Sequence, residues 1–317
     1  MKKLLFSLFI LTACFRLSAQ QEHQYTQFMY NKLYYNPAYS GARGVPSITG
    51  IFRSQWIGFD GAPQSGLLSF NSPFLTPRVG IGAVMSMKKI GLNRDFNASL
   101  AYSYELIKLE NVSARAGIQV SIRSLSTAFD DATPVNIGDP SLDNQQVNSI
   151  FGNVGAGLYA TFMERYYVGL SVPRIYRNSI GLSNANATLI AKESPHFYAT
   201  AGGIFPLSDD INLMPAVLLK YVQHAPMDAD INVNLDIRQK VTAGISYRVG
   251  GNGAGESVDL LVMWQASPQI GIGAAYDFSL SDVKDYNSGS IELLFQADLK
   301  KQNGKKKNGV FSPRFFL

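Results

Sequence analysis

From residue 45 onward, apolar and polar side chains take turns along the chain, one segment after another. In 112–123, Val112, Ala114, Ala116, Ile118, Val120 and Ile122 fall on one side; Ser113, Arg115, Gly117, Gln119, Ser121 and Arg123 fall on the other. The same period of two runs through 230–238, 240–249, 269–278 and 290–299. It is the signature of extended strands with one apolar face. The pattern predicts about fourteen strands, at 45–57, 64–72, 78–88, 94–104, 111–123, 149–161, 165–173, 195–204, 210–221, 228–236, 239–249, 256–265, 269–278 and 289–299. Most have the ~9–11 residues that a tilted strand needs to cross a bilayer. The second is weak because Leu67 and Leu68 are adjacent, and Pro173 and Pro215 are expected at a strand end or bulge.

The connections test this division independently. The even-numbered ones, 73–77, 105–110, 162–164, 205–209, 237–238 and 266–268, are all short. The long ones, 124–148, 174–194, 250–255 and 279–288, all carry odd numbers. An antiparallel barrel with short periplasmic turns and longer external loops requires that parity.

A half-apolar strand fits a soluble sandwich or a membrane barrel. In a barrel, Arg53, Arg115, Gln119, Arg123, Asp230, Asp236, Arg238, Arg248, Asp277 and Glu292 would face a lumen, where both signs can pair. Trp56, Tyr102, Tyr104, Tyr247, Trp264, Tyr276 and Phe278 lie near strand ends, as interface girdles do. That bias, with a leader at the start of the chain, favours the membrane. The fold class expected is all-β: a transmembrane antiparallel β-barrel over 45–299.

The ends carry the basic charge. Residues 1–19 hold Lys2, Lys3 and Arg16, and 300–317 hold six basic residues; neither has an acidic one. Setting these nine aside leaves 19 basic against 23 acidic residues, so the pI near 9.1 gives no argument for a nucleic-acid partner. Residues 1–19 read as a signal peptide cut after Ala19, with lipidation at Cys14 in Leu11–Thr12–Ala13–Cys14 as the alternative. Residues 20–44 lack the alternation; they are either a periplasmic approach or a plug in the barrel mouth. Residues 300–317 read as a basic periplasmic tail, solvated or docked on an acidic partner.

Little else carries chemistry. His23, His196 and His224 have no metal-ligand spacing, and Ser194 beside His196 reads as a loop serine and a strand-end histidine. Asp130, Asp131, Asp139 and Asp143 make an acidic outer loop without the spacing of an EF-hand. Gly-rich 250–255 lacks the lysine and helix of a phosphate loop. No cofactor, no metal and no enzymatic activity are expected.

The densest motif precedes and enters the first strand. It comprises Gln27–Phe28–Met29, Asn36–Pro37–Ala38–Tyr39–Ser40–Gly41, Arg43–Gly44, Arg53, Gln55–Trp56, Gly58 and Gly61–Ala62–Pro63. In order and spacing this resembles the N-terminal signature of the PorP/SprF family, outer-membrane proteins of the type IX secretion system of Bacteroidetes. The resemblance thins into barrel patterning and returns at Ser312–Pro313–Arg314–Phe315–Phe316. It implies a non-enzymatic role in secretion. Members either contact the periplasmic ring and tether proteins or serve large surface adhesins, beside the adhesin's C-terminal domain, in adhesin export and gliding motility. Asn36, Pro37, Tyr39, Arg43, Arg53 and Trp56 are then the candidate partner-binding residues; barrel closure and turn geometry is the plainer role for them. The rival functions are a general diffusion porin or small-solute transporter, and a secreted soluble adhesin.

Overall fold

The computed structural model describes residues 24–127, 147–184, 187–223, 225–250 and 256–299. The leader with its Ala19 and Cys14 alternatives, the four loop aspartates, His23, His224, residues 251–255 and the basic tail lie outside the described residues. Fourteen strands form the wall. They are β1 (Ser47–Ser54), β2 (Gln64–Phe74), β3 (Thr76–Ile90), β4 (Asn93–Lys108), β5 (Val112–Thr127), β6 (Val147–Phe162) and β7 (Tyr166–Val172). They continue as β8 (His196–Gly203), β9 (Ile211–Val222), β10 (Asp228–Ile237), β11 (Val241–Val249), β12 (Ser257–Gln265), β13 (Ile270–Ser279) and β14 (Ser290–Asp298). Each pairs antiparallel with its chain neighbours, and β14 returns to β1, from Ser47 opposite Asp298 to Ser54 opposite Ile291. The sheet closes and leaves no open edge.

Every alternating segment of the sequence is one of these strands. Three local expectations need correction. Strand β1 stops at Ser54, so Trp56 lies in the β1–β2 loop, with a left-handed φ of 53° and its N–H donated to Ser290 Oγ at 3.2 Å. Arg238 does not face the lumen. It sits in the tight β10–β11 turn at φ 54° and pairs with exposed Asp210 outside. Pro215 lies inside β9, opposite Val233 of β10. On the β8 side the ladder stops at Gly202–Ala216 and resumes at Phe205–Leu213, so Pro215 has no partner in register there.

Burial runs opposite to that of a water-soluble protein. Leu100, Ile118, Leu158, Leu170 and Leu293 are each more than half exposed, whereas Asp230, Asn232, Asn234, Asp259 and Glu292 are at most 1% exposed. Water would penalise that outer surface at about 25 cal/mol per Å². Hydrocarbon accepts it, and closure satisfies the backbone without water. Phe197, Tyr221, Tyr247 and Phe278 project outward at the long-loop end, and Tyr102, Tyr104 and Trp264 at the short-turn end. This is a membrane-spanning barrel. Replacing mid-strand Leu293 by Arg is expected to cost about 2–4 kcal/mol of stability in a bilayer, and Leu299→Lys at the rim about 0–1 kcal/mol. Denaturant titration of both variants in vesicles checks the difference.

Candidate functional site

The lumen is occupied by the residues that precede β1. Residues 24–44 form three short turns, Phe28–Tyr30, Lys32–Tyr35 and Pro37–Tyr39, and almost all of their side chains are buried. They run from the long-loop end, where Gln24 Nε2 donates to Asp228, to the short-turn end, where Arg43 Nε meets Asp298 at 2.7 Å. Tyr25, Phe28, Met29, Leu33 and Tyr35 pack on inward-facing Ile51, Leu67, Val84, Leu218, Leu261, Met263 and Leu294. That explains the Leu67–Leu68 pair: Leu68 faces out and Leu67 faces this segment.

The middle of the segment rests on a floor of glycines. A Cβ on Gly80 would lie 2.0 Å from the Ser40 carbonyl oxygen, and one on Gly117 would lie 2.4 Å from the Ala38 nitrogen. Only glycine lets the two backbones come so close. Pro37 opens its turn at a position that suits a fixed φ, and Asn36 caps it, its Oδ1 accepting from the Ala38 N–H at 2.9 Å. Asn36 Nδ2 donates to the Leu158 carbonyl of β6 at 2.8 Å, and Ser103 Oγ donates to the Ser40 carbonyl at 2.6 Å. The Gly41 N–H donates to Asn71 Oδ1. The cap, the turn and the wall are thus one hydrogen-bonded unit.

Charge holds the two ends. Arg53 Nη2 lies 2.5 Å from Asp277 and its Nη1 3.3 Å from Glu292. Those carboxylates in turn accept from the backbone N–H groups of Thr26 and Gln27, at 2.9 Å each, and from Thr26 Oγ1 at 2.9 Å. Arg248 and Lys220 flank Asp230, at 2.6 and 2.9 Å, and extend the network around the wall. Buried pairs of this kind add little over apolar packing, but losing one partner is expensive. Lower down, Lys32 Nζ lies 4.5 Å from the centroid of the Tyr167 ring and 5.4 Å from that of Tyr39. The two ring faces attract the cation.

The β7–β8 connection closes over the other end. Its hairpin, Ser179–Asn184 paired with Ala187–Lys192, stands on a base that reaches into the lumen. Gln119 Nε2 donates to the Pro173 carbonyl at 2.9 Å, and Glu193 receives Arg123 at 2.8 Å and Arg174 at 3.2 Å. His196 Nδ1 contacts the backbone carbonyl of Ser194 at 2.9 Å, not its hydroxyl.

Of the candidate residues, Asn36, Pro37, Tyr39, Arg43 and Arg53 converge on the lumen segment and its anchors; Trp56 lies apart, at the outer rim. Sequence reasoning missed Thr26, Asn71 and the glycine floor as parts of the site. A signal was present in the glycines at inward positions of β3, β5 and β6, where a lumen would place polar side chains.

Among solved structures, the barrel is similar to Omp33 of Acinetobacter baumannii, at 8% identity and a TM-score of 0.49, covering 80% of this chain and 98% of that one. It is similar to the Ralstonia pickettii toluene transporter TbuX, at 11% identity and 0.47, covering 86% and 93%. A Pseudomonas aeruginosa FadL homologue follows at 12% and 0.45, covering 84% and 93%. No curated protein matches by sequence. The family model of the type IX secretion system membrane protein PorP/SprF matches residues 17–296, and the chain belongs to that family.

Proposed function

We propose that this protein is a closed docking component of type IX secretion rather than a diffusion channel. The observation that supports the reading is the occupied lumen: residues 24–44 are bonded to the wall on all sides, and the base of the β7–β8 connection enters from the opposite end. A diffusion porin needs that space for solute. The outer loops would then receive an exported client, a large surface adhesin through its C-terminal domain, and the short-turn face would meet the periplasmic ring and tether proteins. Asn36, Pro37, Tyr39, Arg43 and Arg53 would serve this role indirectly, by fixing the shape of both mouths.

Mild cross-linking in native outer membranes, followed by capture of the full-length protein, tests the reading. Recovery of a periplasmic secretion component, a surface adhesin, or both is the expected result. Recovery of neither, with steady solute conductance of the purified protein in planar bilayers, would move it to the porin class.

A further inference from the structure

The periplasmic rim is not uniform. The tips of the β2–β3, β4–β5 and β6–β7 turns carry Leu75, Leu109 and Met163, exposed by 90, 68 and 64%. The β10–β11 turn, on the other side of the ring, carries Arg238, Gln239 and Lys240. Between the apolar turns and the end of the lumen segment lies a pocket of about 240 Å³, lined in part by Glu105, Lys108, Leu109, Glu110, Arg115 and Glu164. Glu105 is 5% exposed. Its Oε1 accepts from Ser113 Oγ at 2.7 Å, but its Oε2 is buried without a hydrogen-bond partner. The cation beside Oε2 is Lys108, 3.5 Å away on a side chain that is 54% exposed. Arg115, opposite Glu105 across the β4–β5 ladder, adds a second positive charge nearby, but its guanidinium donates to Ser103 Oγ and to the Arg78 carbonyl. A buried carboxylate oxygen in this state favours a well-placed cation.

A source of cations begins at the same rim. The Leu299 N–H donates to the Pro46 carbonyl at 2.8 Å, and Gly44, two residues before Pro46, lines the pocket. After Leu299 come 18 residues with six basic and no acidic side chains, together with Val310, Phe311, Phe315, Phe316 and Leu317. Extended at about 3.3 Å per residue, they reach roughly 60 Å, more than enough to cross the rim. Basic and aromatic residues complement a pocket whose lining sets three glutamates against two cations, Lys108 and Arg115, beside an apolar border. The tether also gives the tail an effective concentration in the mM range, which a free partner lacks.

We propose that the chain's own C-terminal tail, residues 300–317, folds back across the periplasmic rim, sets a lysine or arginine on Glu105 and lays its aromatic residues over Leu75, Leu109 and Met163. The inference does not depend on the docking reading.

Disulfide trapping in the full-length protein in native membranes tests it. Ser312→Cys is combined with Glu110→Cys at the pocket, or with Gln239→Cys at the polar turn as control; that turn lies no farther from β14 around the ring than the pocket does. An intrachain disulfide is expected for the pocket pair, on the order of tenfold more than for the control, and Glu105→Gln should reduce it to the control level. Heat-modifiable gel mobility confirms that each variant keeps its barrel. Equal trapping at both turns, or indifference to Glu105→Gln, would overturn the proposal. So would a disulfide between two chains or to another protein, since the pocket would then have a different occupant.

Discussion

Gly117→Val is expected to expel residues 36–41 from the lumen while the barrel itself persists. A Cβ at this position lies 2.4 Å from the nitrogen and 2.5 Å from the Cα of Ala38, and both are backbone atoms that no rotamer change can move aside. Overpacking of a core costs typically about 1–3 kcal/mol, and a backbone obstacle belongs at or above the top of that range. Strand β5 keeps its ladder to β4 and β6, and valine is at home in a strand. The cost therefore falls on the seat. Limited proteolysis in lipid nanodiscs should cut within 24–44 in the variant and spare the parent, and current steps should appear in planar bilayers. Unchanged protease resistance would mean that the segment does not rest on Gly117.

Arg53→Met should be the most damaging single change among the buried charges. Asp277 and Glu292 are 2% and 0% exposed, and Arg53 is the cation that both contact within 3.3 Å. Removing one partner of a buried pair costs about 3–5 kcal/mol, because the remaining charge stays out of water without compensation. Here two carboxylates are affected, and both also hold Thr26. The loss should appear as a lower unfolding midpoint in vesicles. Adding Asp277→Asn to Arg53→Met should recover part of it, since one stranded charge is then gone. If the two changes simply add, the pair is not coupled.

The wall was legible because a period of two is a direct image of a surface with different solvents on its two sides. Every alternating segment became a strand, and the parity of the long connections separated the two ends before any pairing was known. What stayed illegible was the content of the lumen. Residues 24–44 have no period to read; their turns are set by contacts with distant strands, such as Asn36 with Leu158 and Gly41 with Asn71. Yet the wall carries their imprint. Alternation fails where an inward residue is apolar, at Leu67 beside Leu68, at Leu261 and Met263 within Leu260–Trp264, and at Leu294 beside Leu293. Each of these inward residues belongs to one buried apolar cluster with Tyr25, Phe28, Met29, Leu33 and Tyr35 of the segment. Arg238 was misplaced for a different reason: continuing the alternation one residue past Ile237 carried it into a turn, where side-chain direction no longer follows the strand.

The central claim is that the barrel closes around its own N-terminal segment. Hydrogen exchange of the full-length protein in a bilayer tests it most directly, through the amides of residues 26–41. Those of Thr26, Gln27, Ala38 and Gly41 donate to buried side-chain oxygens. The account predicts that they exchange as slowly as the amides of β1. Exchange at open-chain rates across 26–41, with the strands still protected, would contradict it.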